Sequence, residues 1–193
     1  QSLAATIAQA ANPERLATMS NAAADICDGD GTARVMARIL KAPLTFRPAT
    51  GADSRRVWEW RRAVDSSAKV ADEDTPFSAH DAWFKSALSD TDRSIHIAMQ
   101  GQLPCGYLRL DRSQDHRARV SLCLSPEAWG RGFGRHVLTE ADRLGASLGL
   151  KRLDAEVSPE NRASRRIFEA SGYIQGAPVG GFDTYHRILK DMT

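Results

Sequence analysis

The stretch Leu122-Cys123-Leu124-Ser125-Pro126-Glu127-Ala128-Trp129-Gly130-Arg131-Gly132-Phe133-Gly134-Arg135-His136-Val137-Leu138 constrains this chain more than any other. An apolar run that reads as a strand is stopped by Pro126, and three alternating glycines follow before a helix opens near Gly134. Glycines let the backbone approach a ligand closely. The free N–H groups of the helix's first turn then face that ligand with a partial positive charge, which suits a phosphate. Arg131 and Arg135 add full charges at the same place. A dinucleotide fold would put such a loop after the first strand of a repeating βαβ array, whereas hairpin-forming strands precede it here. A loop of the G-x-x-x-x-G-K-[ST] type is excluded, because no lysine follows Gly134.

Periodicity organises the flanks. Residues 44–47 alternate as a strand that ends at Pro48, and Val57, Trp58, Trp60, Arg61 and Val64 fall near helical spacing. After a polar loop containing Asp72, Glu73, Asp74 and Pro76, residues 78–84 read as a capped helix. Strands are expected at 94–99, 105–110 and 117–124, with Gln100-Gly101-Gln102 and residues 111–115 as hairpin turns. Beyond the glycine loop come a helix to Leu148, a strand at 153–157, a helix at 161–170 closed by Gly172, and a last strand within 182–189. Residues 1–41 are alanine-rich and read as a helical extension, broken at Asn12-Pro13 and by the turn Asp28-Gly29-Asp30-Gly31-Thr32. Residues 42–193 read as one domain.

The 193 residues carry 26 Lys+Arg against 24 Asp+Glu, a net +2, which argues against a protein devoted to coating nucleic acid. An apolar share of 42% excludes wholesale disorder. Three cysteines without a CxxC pair suggest neither a disulfide framework nor a cysteine zinc site, and five scattered histidines form no HxxxH pair, so no metal is expected. No run approaches the roughly 18 apolar residues of a membrane span, and residues 1–15 do not read as a signal peptide. A cytoplasmic location is the expectation.

The order strand, helix, helix, three antiparallel strands, glycine loop, helix, strand, helix, strand resembles the GNAT acyl-CoA N-acetyltransferase superfamily. Three motifs carry the resemblance over about residues 44–189. They are the strand-Pro-glycine-loop-helix above, Asp154-Ala155-Glu156-Val157 followed by Asn161, and Ile167-Phe168-Glu169-Ala170-Ser171-Gly172-Tyr173. The resemblance implies an α/β fold with a mixed, mostly antiparallel central sheet flanked by helices, and acetyl-CoA as co-substrate. It places the CoA pyrophosphate on the amides around Gly130, Arg131, Gly132, Phe133, Gly134 and Arg135. It pairs the pantetheine arm with the edge of Leu122, Cys123 and Leu124, and adds Asn161 and Phe168 as cofactor contacts. Asn161 also reads as an N-cap for the last helix. Trp129 departs from the family, which usually has Gln or Arg there.

For transfer to an amine, the resemblance makes the Leu124 N–H the group that polarises the thioester carbonyl and Glu156 the base. On an alternating strand Asp154 and Glu156 share a face. Asp111 and His116, which flank a hairpin, are lesser candidates. The family's usual tyrosine acid is replaced by Phe168, so the thiolate leaves unassisted or through water, or Tyr107, Ser121 or Tyr185 serves. Cys123 is not expected to be a nucleophile, since no base is evident beside it.

On the acceptor side, Trp58-Glu59-Trp60-Arg61-Arg62, the acidic loop and His80 with Trp83 resemble the subgroup acetylating 4-amino sugars on UDP in pseudaminic-acid biosynthesis. The substrate contacts implied are Trp60, Arg61, His80 and Trp83, although Arg62 stands where that subgroup tends to have Asn. Ribosomal-protein N-terminal acetyltransferases share the framework and form an alternative. A non-catalytic CoA- or sugar-binding module is another. Met19-Ser20-Asn21-Ala22 and residues 28–35 resemble the C-terminal end of the same pathway's GT-B-like UDP-sugar hydrolase, making residues 1–41 the expected tail of an upstream hydrolase domain. Oligomeric state is left open.

Overall fold

A computed structural model describes residues 43–64 and 75–190. The helical extension expected over residues 1–41, its hydrolase likeness and the acidic positions 72–74 lie outside the described residues.

Strand β1 (Leu44–Pro48) leads through a short 3-10 turn (Gly51–Asp53) into helix α1 (Ser54–Ala63), and helix α2 (Phe77–Ser89) follows. Then come the antiparallel strands β2 (Arg93–Gln100), β3 (Leu103–Ser113) and β4 (Arg117–Leu124). A 3-10 turn (Pro126–Ala128) precedes helix α3 (Phe133–Ser147), strand β5 (Arg152–Val157), helix α4 (Arg162–Ala170) and strands β6 (Ile174–Gln175) and β7 (Asp183–Ile188). The seven strands form one sheet in the order β1-β2-β3-β4-β5-β7-β6. Only β4 and β5 run parallel; every other neighbour is antiparallel. The α/β fold with a mostly antiparallel sheet is therefore the one expected, with the two-residue β6 as an addition.

Alternation along the strands divides the core into two layers. Ala118, Val120, Leu108, Leu110, Leu153 and Ala155 pack on one face against Val137, Leu138 and Ala141 of α3. In α3 the buried positions Phe133, Gly134, Val137, Leu138, Ala141 and Gly145 form a stripe at helical spacing. The opposite face carries Ile95, Ile97, Tyr107 and Cys123 under Val57 and Trp60 of α1 and Phe84 and Ala87 of α2. Among the described residues, no helix is long and apolar enough to cross a membrane.

The link from β1 to α1 is built on Asp53, which is 3% exposed. The Arg47 guanidinium donates to both Asp53 carboxylate oxygens at 2.8 and 2.7 Å, and the Thr50 N–H and hydroxyl donate at 2.8 and 3.0 Å. Burial alone would raise the carboxyl's pKa, but these donors overcome it and hold the group below the ordinary Asp value.

Candidate active site

The glycine loop does its work at three positions for two reasons. Gly130 and Gly132 sit at φ +71° and +77° with open space where a side chain would stand, so a ligand can lie against the backbone. Gly134 serves packing, since a Cβ there would come within 2.7 Å of Ile167 Cδ1 on α4. Gly132 caps α3 without a side-chain hydrogen bond, and no acidic residue stands in the first turn. The N–H groups of that turn are thus offered to an anion by geometry and by the helix dipole. Arg135 is exposed beside them. Arg131 turns inward instead, donating to Gln100 Oε1 at 2.8 Å with its guanidinium 4.5 Å from the Phe133 ring centroid.

The end of β4 forms an open edge. Ser125 N–H bonds the Cys105 carbonyl at 2.9 Å, making those two residues a hydrogen-bonded pair. Antiparallel ladders alternate such pairs with non-bonded ones. Leu124 and Leu122, opposite Gly106 and Leu108, therefore turn their N–H and C=O groups away from β3 and toward β5. Yet β5 pairs with β4 only at Arg117↔Arg152, Ala118↔Leu153 and Arg119↔Asp154. The two parallel strands then part, leaving Leu122 and Leu124 without a β5 partner in register. The Leu124 carbonyl accepts from Trp129 Nε1 at 3.1 Å, so the loop's departure from the family pattern ties the loop back to the strand end.

Register also sorts the polar residues. Ala118 and Leu153, paired side by side, both belong to the α3 layer. Arg119, Ser121 and Cys123 of β4 and Asp154 and Glu156 of β5 consequently point to the α1/α2 face. Asp154 and Glu156 share that face, as expected. Glu156 Oε2 lies 3.5 Å from Arg119 Nη1, and Asp154 is paired with Arg152 at 2.7 Å.

Several expected site residues are placed elsewhere. Trp60 is 7% exposed and packs in the core beneath α1, because helical spacing puts it on the same stripe as Val57. His80 is 4% exposed, with its ring stacked on Phe84 at 5.7 Å. Burial lowers its pKa, and Arg61 lowers it further against the Ser54 carbonyl, so it supplies no cation for a diphosphate at neutral pH. Phe168 is 5% exposed, stacked on Tyr185 at 5.6 Å and edge-on to Tyr173 at 5.0 Å, so its ring fills core rather than lining the cofactor cleft. Asn161 is the N-cap of α4, its side-chain oxygen accepting from Ser164 N–H at 3.0 Å. His116 sits at the far end of β4, about 25 Å from Leu124 by strand rise, beside a cavity of about 420 Å³ lined also by Asp92, Arg112 and Leu148. Asp111 accepts from Arg109 at 2.9 Å and approaches Arg93 at 3.5 Å, an ion-pair cluster rather than a free base.

Arg61 and Trp83 do meet on the α1/α2 face, and Arg109 joins them. The Trp83 ring has the Arg109 guanidinium at 5.2 Å and that of Arg61 at 5.9 Å. Arg109 belongs to no sequence motif, and only alternation with Tyr107 and Asp111 along β3 places it on this face. Its Nε is buried without a partner among the described residues. Arg61 lies close enough to act electrostatically on His80, Tyr107 and Cys123 alike. Among the described residues no ion pair engages it. Burial pushes the Cys123 thiol up to about 12, so it is no nucleophile at neutral pH. Among the described residues no group of three or more His, Cys, Asp or Glu side chains could hold a metal ion.

The fold and this cleft together define an acyl-CoA-dependent transferase class of α/β domain. A family model described as the acetyltransferase (GNAT) domain matches residues 43–174, so the chain belongs to the GNAT family and is an acetyl-CoA-dependent N-acetyltransferase. Solved structures share the fold at low identity. Spermidine N-acetyltransferase from Vibrio cholerae, in complex with CoA and spermine, is 18% identical with a TM-score of 0.67, covering 76% of this chain and 95% of that one. A GNAT-family acetyltransferase from Streptococcus pneumoniae is 18% identical with a TM-score of 0.60, covering 77% of this chain and 100% of that one. The protein yncA of Salmonella typhimurium, solved with its cofactor acetyl-CoA, is 20% identical with a TM-score of 0.63, covering 79% of this chain and 97% of that one. No curated protein matches the chain by sequence.

Proposed function

We propose that this enzyme acetylates an amine on an acceptor that also carries an anionic group, specifically the 4-amino group of a UDP-linked deoxy-amino sugar. The observation that carries this reading is the pair of guanidiniums, Arg61 and Arg109, flanking Trp83 on the face where Glu156 stands. Arginines beside an aromatic ring suit a diphosphate and a stacked base. Arg109 is paired with Asp111 at 2.9 Å, so the charge left to meet an anion is that of Arg61, which no ion pair engages among the described residues. The pathway reading also takes residues 1–41 as the tail of an upstream UDP-sugar hydrolase domain, on their sequence motifs alone.

The cleft fits acetyl-CoA: the loop offers uncovered glycine backbone and an uncapped helix start, and β4 offers an unpaired edge. Bound there, acetyl-CoA supplies an acetyl group activated as a thioester. The amides from Gly130 to Arg135 hold the diphosphate, and Leu122 and Leu124 accept the pantetheine arm as an added strand. Asn161 stands at the start of α4 as a further contact to that arm. The Leu124 N–H, facing the gap, donates to the thioester oxygen. Glu156 takes the proton from the attacking amine nitrogen through water. Tyr185 donates to Glu169 at 3.1 Å, and burial raises both it and Tyr107, so neither is a ready acid. Ser121, half-buried on the acceptor face, is the hydroxyl placed beside the gap. The leaving thiolate is therefore protonated by water or by way of Ser121.

A coupled assay for free CoA tests this reading against its rivals. Turnover with a UDP-4-amino-4-deoxy sugar and none with an N-terminal peptide is expected. Turnover with the peptide alone would move the enzyme to the N-terminal acetyltransferases. Tight CoA binding with no turnover of either acceptor would make it a binding module.

A further inference from the structure

We propose that Gln100 is a positioning residue for the cofactor loop, holding Arg131 inward so that the loop amides are ordered before acetyl-CoA arrives. The proposal rests on the reading that the loop at residues 130–134 holds the CoA diphosphate. Gln100 ends β2 and is 2% exposed. Its Oε1 accepts from Arg131 Nη2 at 2.8 Å, while its Nε2 is buried with no partner among the described residues. A leucine of similar volume would spare the fold that stranded donor, so core packing does not account for an amide at this position.

The loop supplies the reason. Arg131 stands between Gly130 and Gly132, both at positive φ with open space around them. Such a backbone has more conformational freedom to lose on ordering than any other. Arg131 is the side chain between these two loose joints, and its planar fork is held at two points: by the Gln100 oxygen and against the ring of Phe133, the first residue of α3. One side chain thereby ties the end of β2, the middle of the loop and the start of the helix together.

The test compares Gln100→Leu, Gln100→Glu and Gly132→Val with the parent enzyme. The readouts are acetyl-CoA titration calorimetry, steady-state kinetics, thermal melting and hydrogen exchange of ligand-free loop amides. Gln100→Leu removes a stranded donor but also the acceptor of the Arg131 guanidinium, two opposed effects that should keep its melting temperature within a few degrees of the parent's. Its loop amides should exchange faster, and its acetyl-CoA Kd and KM should rise about tenfold with kcat within about twofold. Gln100→Glu, which keeps an acceptor for Arg131, should restore slow exchange. If Gln100→Leu binds acetyl-CoA normally while Gly132→Val does not, the proposal is overturned and the loop reading stands. If neither variant weakens binding, the loop reading fails and takes the proposal with it. A lower melting temperature with unchanged affinity would show Gln100 to be a core residue only.

Discussion

Glu156 is the residue on which the proposed chemistry turns, and its surroundings decide how it acts. It is exposed on β5, where water reaches it, with Arg119 Nη1 3.5 Å away. Glu156→Gln keeps the shape and removes the basicity. It should lower kcat on the order of 10²-fold while leaving the acetyl-CoA Kd within about twofold, as read by steady-state kinetics and calorimetry. Unchanged kcat across the pH range would remove Glu156 as base. Asp53 shows the opposite case, a carboxylate that supports the fold. Its pKa is depressed in the folded state, so its contribution is full above the unfolded value of about 3.9 and is lost as pH falls through the folded value. Asp53→Asn leaves the half-exposed Arg47 fork without its carboxylate and should cost about 1–2 kcal/mol near pH 7. The gap between parent and variant in urea melts should narrow below pH 4; a gap independent of pH would refute the ion-pair account.

At the scale of elements, the loop and the strand end beside it were legible because their signals are local. A proline, three glycines and an apolar period announce a strand, a turn and a helix without reference to the rest of the chain. Trp60 and His80 were less legible, since both sit on helices whose buried stripe depends on where the sheet lies. The burial of Phe168 is only half local: Tyr173 closes the same motif five residues on, but Tyr185, on which the ring stacks, comes from β7 and is brought in by the fold. The β6 strand, two residues long, exists only because β7 pairs with it at Ile174↔His186 and Gln175↔Tyr185. Gly106 carries an element-level consequence. A Cβ there would lie 2.7 Å from the Cys123 carbonyl oxygen and 2.8 Å from Leu124 Cδ2. Gly106→Ala must therefore push the strand end that carries the Leu124 N–H, the group proposed to polarise the thioester carbonyl. It should destabilise the fold by about 1–3 kcal/mol and lower kcat more than it raises the acetyl-CoA KM. Chemical denaturation and steady-state kinetics check both; a stability loss with normal kcat would detach Gly106 from the chemistry.

For the whole molecule, the proposed function gives the two faces of one sheet different work: cofactor binding on the α3 face with its glycine loop, and acceptor binding on the α1/α2 face with Arg61, Arg109, Trp83 and Glu156. The parting of β4 from β5 opens a passage between them. Near-neutral net charge hid this division, because the +2 of the chain says nothing about where the arginines gather. The central claim is that those arginines select an anionic acceptor, and one comparison tests it most directly: kcat/KM for a UDP-linked 4-amino sugar against spermidine, in the parent enzyme and in Arg61→Met. The account predicts a preference for the sugar nucleotide on the order of 10²-fold or more, reduced about tenfold or more in Arg61→Met through a higher acceptor KM. A preference for spermidine in the parent enzyme, or a sugar-nucleotide preference untouched by Arg61→Met, would contradict it.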